Sequence, residues 1–176
     1  VEEFTRYRTD KSTEIDIQLP LHLKNGQVKW ILVKGKEVKN SLGYSKMIHG
    51  IILDSTKVKA QEQYIYHLAY HDHLTDLPNR TKFQTHLQEL IHQEIPCAVM
   101  ILDVDNFKTV NDTLGHTYGD TLLKEMGKRL SSIDMPNLFI SRFGGDEFLV
   151  LYENHDSYDE IETALNHIDE ALAESF

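Results

Sequence analysis

The chain has 176 residues, of which 40% are hydrophobic, and it carries a formal net charge of -10. This content supports a buried core in one or two domains, and the acidic balance argues against nucleic acid or an anionic membrane as a partner. A single cysteine, Cys97, excludes a disulfide framework and is typical of a reducing compartment. The sequence contains no apolar run of membrane-spanning length and no signal peptide, so we expect a cytoplasmic location without direct membrane contact.

Residues 14 to 54 have the pattern of an antiparallel β-sheet. Apolar residues alternate along two runs, Asn25-Gly26 predicts a tight hairpin turn between them, and a third apolar run covers residues 47 to 53. Three such strands that close on Asp54-Ser55-Thr56 resemble the C-terminal half of a PAS sensor domain. The resemblance implies that residues 1–56 are the C-terminal part of a PAS-like domain.

Residues 57–71 have helix-forming composition and indicate a signalling linker. Apolar and neutral residues recur at the spacing of a short parallel coiled coil, while packing as an ordinary amphipathic helix remains an alternative. These positions are Val58, Gln61, Ile65 and Leu68. His67 and His71 are spaced as zinc ligands on a helix can be, but no third ligand is evident at a suitable spacing, so we interpret them as structural.

The remainder of the chain predicts alternating helices and strands. Periodicity indicates a helix over residues 81–92, a buried strand over 97–103, a helix capped by Asp120, and a last helix over 158–173. The last helix is expected to face inward with Ile161, Leu165, Ile168 and Leu172. Before the first of these helices, charge-assisted hydrogen bonds are expected among Asp72, Asp76 and Arg80.

Two acidic clusters are predicted at strand ends. Two apolar runs within residues 138–151 are separated by Gly144-Gly145, which predicts a hairpin with Asp146 and Glu147 at its tip. The glycines allow positive φ angles and leave no side chain between the backbone and a ligand's phosphates. The buried strand 97–103 also ends in an acid, Asp103, which we expect to converge with the hairpin acids. Taken alone, acids beside a turn are simply solvated about as often as they form a functional site.

The hairpin sequence F-G-G-D-E-F at residues 143–148 is the literal signature of the GGDEF family, the diguanylate cyclases, and the chain is identified as a member. Residues 72–83 (D-H-L-T-D-L-P-N-R-T-K-F) and 103–120 resemble two further motifs, in the family's order. The resemblance implies a palm-like (nucleotidyl cyclase/ferredoxin-like) domain over residues 72–176, truncated at its C-terminus. The expected fold class is therefore α+β: a partial PAS antiparallel sheet, a helical linker and this truncated domain.

The resemblance also implies the chemistry. The family condenses two GTP into cyclic di-GMP, releasing two pyrophosphates, with Mg²⁺ or Mn²⁺ as cofactor and a homodimer as the active species. Metal ligands would be Asp103, the Val104 carbonyl and Asp146, with Glu147 assisting. Asp146 or Glu147 would help deprotonate the attacking hydroxyl, and the sequence does not choose between them. Lys108 would neutralise charge on the phosphates.

The implied substrate-binding residues are Phe107, Asn111, His116, Asp120, Gly144 and Gly145. One departure concerns product inhibition, because Met135-Pro136-Asn137-Leu138 occupies the position of the family's Arg-x-x-Asp motif. We therefore expect that inhibition to be absent. Two alternatives to a PAS-regulated cyclase stay open: a catalytically silent GTP-binding module that controls an attached domain, such as a downstream cyclic di-GMP phosphodiesterase, and a dimerising unit of sensor and linker.

Overall fold

The computed structural model describes residues 14–154 and 157–174, so the predictions for residues 1–13, 155–156 and 175–176 lie outside the described residues. Within the described part, the fold contains two three-stranded antiparallel sheets and five helices, which confirms the predicted α+β class. The chain divides into two compact units, with the division between Ile65 and Tyr66. None of the described helices combines the length and apolar character that a bilayer-spanning segment needs.

The first unit is an antiparallel meander followed by the start of a helix. Its elements are β1 (Glu14–His22), β2 (Val28–Lys39), β3 (Ser45–Asp54) and helix α1 (Thr56–Tyr70), which runs on into the second unit. The strands lie in the order β1-β2-β3, and Gly26 occupies the predicted β1–β2 turn with φ of 82°. The Thr56 hydroxyl accepts from the Trp30 amide and Ser55 donates to the Trp30 carbonyl, so the end of β3 is bound to β2.

Helix α1 buries none of its residues within the described chain. The apolar positions of the predicted coiled-coil seam are largely exposed, with exposed fractions of 54% for Val58, 65% for Ile65 and 58% for Leu68. A helix without buried residues gains little stability from packing within its own chain. The coiled coil itself stays a prediction.

The second unit packs helices on both faces of a small sheet. Its elements after α1 are α2 (Arg80–His92), β4 (Cys97–Asp103), α3 (Phe107–Leu114), α4 (His116–Ser131), β5 (Leu138–Gly144), β6 (Glu147–Glu153) and α5 (Tyr158–Leu172). The strand order is β4-β6-β5, and both pairings are antiparallel. The predicted strands and helices are therefore present, helix α3 was not predicted, and two details of the other helices differ from expectation.

The first difference concerns Asp120, which is not a helix cap. Helix α4 begins at His116, directly after Gly115 ends α3, so Asp120 lies a turn inside the helix with an exposed side chain. The second concerns α5, where Leu165 is 41% exposed and Ala164 is fully buried instead. The small side chain of Ala164 allows α5 to pack more closely on the domain than the predicted Leu165 would.

The core is organised by β6, the central strand. Alternate residues of a strand point to opposite faces, and Phe148 and Val150 pack in one cluster with α4 and α5. Leu149 and Leu151 pack in the other cluster, against α2. A slip of β6 by one residue would turn each of these side chains to the opposite face of the sheet and into the wrong cluster. The packing on both faces therefore specifies the register of β6 strongly.

A buried ion pair joins the segment before α2 to strand β5. Arg142, whose side chain is 9% exposed, donates from Nη1 to Oδ1 of Asp72 at 2.7 Å. Burial by itself would raise the pKa of Asp72, but hydrogen bonds from Arg142 and from the amide and hydroxyl of Thr75 hold the pKa below its usual value. The expected partner of Asp72, Arg80, instead lies over the Phe143 ring, 4.4 Å from its centroid. The prediction for Arg80 was therefore wrong.

Replacing Arg142 with methionine leaves the Asp72 carboxylate without its cation, so we expect Arg142→Met to lower the free energy of unfolding by about 2 to 3 kcal/mol near pH 7, measured by urea denaturation. The matched control is Lys128→Met, which removes an exposed ion pair with Glu125 in the same unit and should change stability by less than about 0.5 kcal/mol.

The pH dependence separates the ion pair from simple packing. The pKa of Asp72 is lower in the folded than in the unfolded chain, so its contribution is complete above the unfolded pKa and is lost as the pH falls through the folded pKa. The loss in free energy of unfolding caused by Arg142→Met should therefore become smaller as the pH falls from about 5 to about 3. A deficit that is the same at both ends of this range would contradict the assignment.

Candidate active site at the end of the β4–β6–β5 sheet

The pairing of β4 with β6 places Asp103 directly opposite Glu147. Residues opposite one another in an antiparallel pair point to the same face, with Cβ atoms about 5 Å apart, and like charges in this arrangement repel. Neither carboxylate has a salt bridge or side-chain hydrogen bond to a described residue. The fold therefore holds two unpaired acids together at one end of the sheet.

The turn between β5 and β6 is open on its outer side. Gly144 has φ of 150° and Gly145 has φ of 57°, and a Cβ atom added to either glycine would meet nothing within 4 Å. Asp146 completes the turn and Glu147 begins β6, so both predicted hairpin acids lie beside this exposed backbone. A phosphate group can approach the turn closely because no side chain covers it.

Arg142 supports the turn from its buried side. Its Nε and Nη2 donate to the Gly145 carbonyl at 3.1 and 2.6 Å, and its backbone amide donates to Pro78 at 2.9 Å. Sequence reasoning did not find this role. The available signal was an arginine inside the apolar run L-F-I-S-R-F, since a buried guanidinium must find acceptors.

The segment after β4 leads directly into a helix N-terminus. The Val104 carbonyl accepts from the Phe107 amide at 3.1 Å and retains a second lone pair for another ligand. Lys108 lies exposed in the first turn of α3. The positive end of the helix dipole and this ammonium group together favour an anion next to Asp103.

The other predicted substrate-binding residues lie on and between α3 and α4. Gly119 is buried, and a Cβ atom there would collide with the Asn111 side chain and lie 3.1 Å from the Phe107 ring. His116 and Asp120 are four residues apart on α4 and therefore share one face of the helix. Both are exposed, and no described residue bonds to either side chain.

The donors at the sheet end fit a hard divalent cation. Three carboxylates and a backbone carbonyl supply oxygen ligands, which suit Mg²⁺ or Mn²⁺ better than softer metals. The three carboxylates do not yet surround a common point. Among the described residues, the only group of three His, Cys, Asp or Glu side chains with ligand atoms within 4.8 Å of one another lies elsewhere, at His67, His71 and Asp76. Rotation of these carboxylate side chains would be needed to enclose a cation at Asp103.

Comparison with known proteins identifies a family for residues 69–176. The profile of the family described as "Diguanylate cyclase, GGDEF domain" matches residues 69–176. The signaling protein YkoW of Bacillus subtilis is 44% identical over 108 residues, which cover 59% of this chain and 14% of YkoW. The bifunctional diguanylate cyclase/cyclic di-GMP phosphodiesterase MucR of Pseudomonas aeruginosa is 39% identical over 112 residues, covering 61% and 16% of the two chains. The chain thus spans less than a fifth of either relative.

A solved structure shares the fold. The coiled coil and GGDEF domain of DgcB from Caulobacter crescentus, in complex with c-di-GMP, superimposes with a TM-score of 0.60 at 26% sequence identity. The superposition covers 68% of this chain and 65% of the DgcB chain. Since the family profile matches more than half of the chain and includes all three motifs, the chain belongs to the diguanylate cyclase, GGDEF domain family.

Proposed function

We propose that the domain formed by residues 72–176 is a diguanylate cyclase, which condenses two GTP molecules into cyclic di-GMP and releases two pyrophosphates. The observation that carries this proposal is the pairing of Asp103 with Glu147 beside the open Gly144-Gly145 turn. Two like-charged acids held opposite each other without protein partners among the described residues fit a site that binds a cation, and membership of the family supplies the reaction class.

A divalent cation makes such a site compatible with a nucleotide. A triphosphate adds about four negative charges, and each like-charge pair at ~4 Å costs ~1 kcal/mol in water and ~4 kcal/mol at an effective dielectric of 20. We infer that Asp103, the Val104 carbonyl, Asp146 and Glu147 hold Mg²⁺ or Mn²⁺. When bound, the cation neutralises phosphate charge and aligns the attacking and leaving oxygens.

The chain's own residues then supply proton transfer and charge. Asp146 or Glu147 accepts the proton of the 3'-hydroxyl of one GTP. The 3'-oxygen then bonds to the α-phosphorus of the second GTP, and the bond between that phosphorus and the leaving pyrophosphate breaks. The ammonium of Lys108, in the first turn of α3, stabilises negative charge on the transferring phosphoryl group. The open Gly144-Gly145 turn admits the phosphates.

Guanine recognition is assigned to the α3–α4 region. The carboxylate of Asp120 can accept both from N1–H and from the exocyclic amine of guanine, a pair of donors that adenine does not present. His116 lies on the same face of α4, and Asn111 and Phe107 pack against Gly119 beneath it. The residues that form this region are distinct from those at the sheet end, so base and phosphate contacts can be tested separately.

Regulation and assembly follow from the remaining parts. The product is two-fold symmetric, which favours a homodimer in which each protomer presents one GTP. We infer that residues 57–71 are the linker that pairs two chains, supported by its exposed apolar seam. We assign residues 1–56 to the C-terminal part of a PAS-like sensor, supported by the three-stranded meander that closes on Asp54-Ser55-Thr56.

The activity is testable in the natural protein that carries this sequence. With GTP and Mg²⁺, anion-exchange chromatography should show cyclic di-GMP, and Asp146→Ala should lower the rate at least about 100-fold because a metal ligand is lost. The control Asp169→Ala removes an exposed acid on α5 and should leave the rate unchanged. Saturable GTP binding without product would overturn the cyclase assignment in favour of a regulatory GTP-binding module.

Base specificity tests the role of Asp120. In xanthosine triphosphate a carbonyl replaces the exocyclic amine, and an asparagine can donate to that carbonyl while accepting from N1–H. We therefore expect Asp120→Asn to lower kcat/KM for GTP by about 10- to 100-fold and to raise the preference for xanthosine triphosphate. Asp112→Asn, an exposed acid on α3 without an assigned role, is the control. An unchanged ratio of the two substrates would contradict the assignment.

A further inference from the structure

Three potential metal ligands converge where α1 ends. His67 lies in the last turn of the helix, His71 follows the helix, and Asp76 lies in the next turn of the chain. One ligand atom from each comes within 4.8 Å of the others, and His67 Nε2 is 2.9 Å from Asp76 Oδ1. The sequence pattern showed no third ligand, because Asp76 reaches the pair only through a turn in which its own φ is 64°.

The orientation of His71 is set by a second contact. Its Nδ1 lies 2.8 Å from the Asp76 carbonyl, and donation of the Nδ1 proton there leaves Nε2 with a free lone pair. Metal-binding histidines are usually oriented by this kind of hydrogen bond from the non-ligating nitrogen to a backbone carbonyl. The His67 and His71 rings are also stacked, with centroids 4.4 Å apart and planes inclined by 16°. Both imidazoles are therefore held in place beside Asp76.

We propose that His67, His71 and Asp76 bind a divalent transition metal of the zinc class, at a site separate from the acids of the sheet end. Two imidazoles and one carboxylate form a donor set that zinc accepts with water in the remaining position, and that Mg²⁺ does not prefer. Ligands on a tetrahedral zinc lie roughly 3 to 3.5 Å apart, so only small side-chain movements are required. The bound metal would fix the last turn of α1 to the turn that contains Asp76.

The side-chain contact between His67 and Asp76 adds little to the stability of the metal-free fold. The side chains of His67 and Asp76 are 47% and 80% exposed, and exposed pairs of this kind contribute little to stability. Substitution of either residue should consequently leave the metal-free fold intact. His67→Gln keeps a good helix former, and Asp76→Asn keeps a residue that tolerates positive φ.

The test is Zn²⁺ titration of the chain without an affinity tag, by isothermal calorimetry, with excess Mg²⁺ present to occupy oxygen-ligand sites. We expect one Zn²⁺ per chain and a rise in melting temperature on binding. His67→Gln and Asp76→Asn should each weaken the affinity at least about tenfold. The control His73→Gln alters a neighbouring histidine that is 91% exposed and outside the cluster, and it should bind as the original chain does.

Bound Co²⁺ supplies an independent readout, since its visible absorption should change in His67→Gln and Asp76→Asn but not in His73→Gln. Circular dichroism without metal establishes that each variant is folded. Absence of saturable Zn²⁺ binding, or an affinity that neither His67→Gln nor Asp76→Asn changes, would overturn the proposal. These measurements do not depend on cyclase activity, so the metal site and the proposed function can fail separately.

Discussion

The guanidinium of Arg142 is the constraint on which the arrangement of the second unit depends. It is buried, it donates twice to the Gly145 carbonyl, and it donates once to Asp72, a residue 70 positions earlier. A buried guanidinium is costly unless acceptors surround it, so the turn and the Asp72 segment must both be in place for either to be stable. The segment at residues 72–80 thereby supports the hairpin that presents the acids, although none of its residues has an assigned catalytic role.

The fold tolerates the repulsion at the sheet end because β6 is strongly anchored. Four consecutive residues of that strand, Phe148 to Leu151, are buried, and each apolar side chain buried in this way contributes about 1.5 to 3 kcal/mol. Repulsion between Asp103 and Glu147 in exposed surroundings costs about 1 kcal/mol. Burial therefore outweighs repulsion, and the acids remain opposite each other without protein partners. Stability is supplied by the strand interior, and the proposed metal and nucleotide site lies at the exposed end of the strand.

Sequence reasoning was most successful where the pattern is local. The β4 run, the Gly144-Gly145 hairpin and the amphipathic helices each follow from periodicity or turn chemistry within a few residues. It failed for contacts between distant residues, because nothing local distinguishes Arg142 from Arg80 as the partner of Asp72. The convergence of His67, His71 and Asp76 was missed for a different reason, because these residues are close in sequence but meet only through the turn that follows α1.

The candidate site was predictable in part. The convergence of Asp103 with the hairpin acids was expected from two strand ends, but the register that sets Asp103 opposite Glu147 was not. Asp120 was placed at a helix cap because the sequence did not show that α4 begins at His116. The Gly119 contact with Asn111 explains the close approach of α3 and α4, and it became visible only in three dimensions. The catalytic and binding roles, the PAS-like sensor and the coiled coil stay predictions.

The most direct test of the central claim is the binding of a fluorescent, non-hydrolysable GTP analogue to this chain, titrated with Mg²⁺ and again with EDTA. If the acids at the sheet end form a cation-dependent nucleotide site, affinity should require Mg²⁺ and should fall at least about tenfold in Asp103→Asn. Binding that is equally tight in EDTA, or that Asp103→Asn leaves unchanged, would contradict the account.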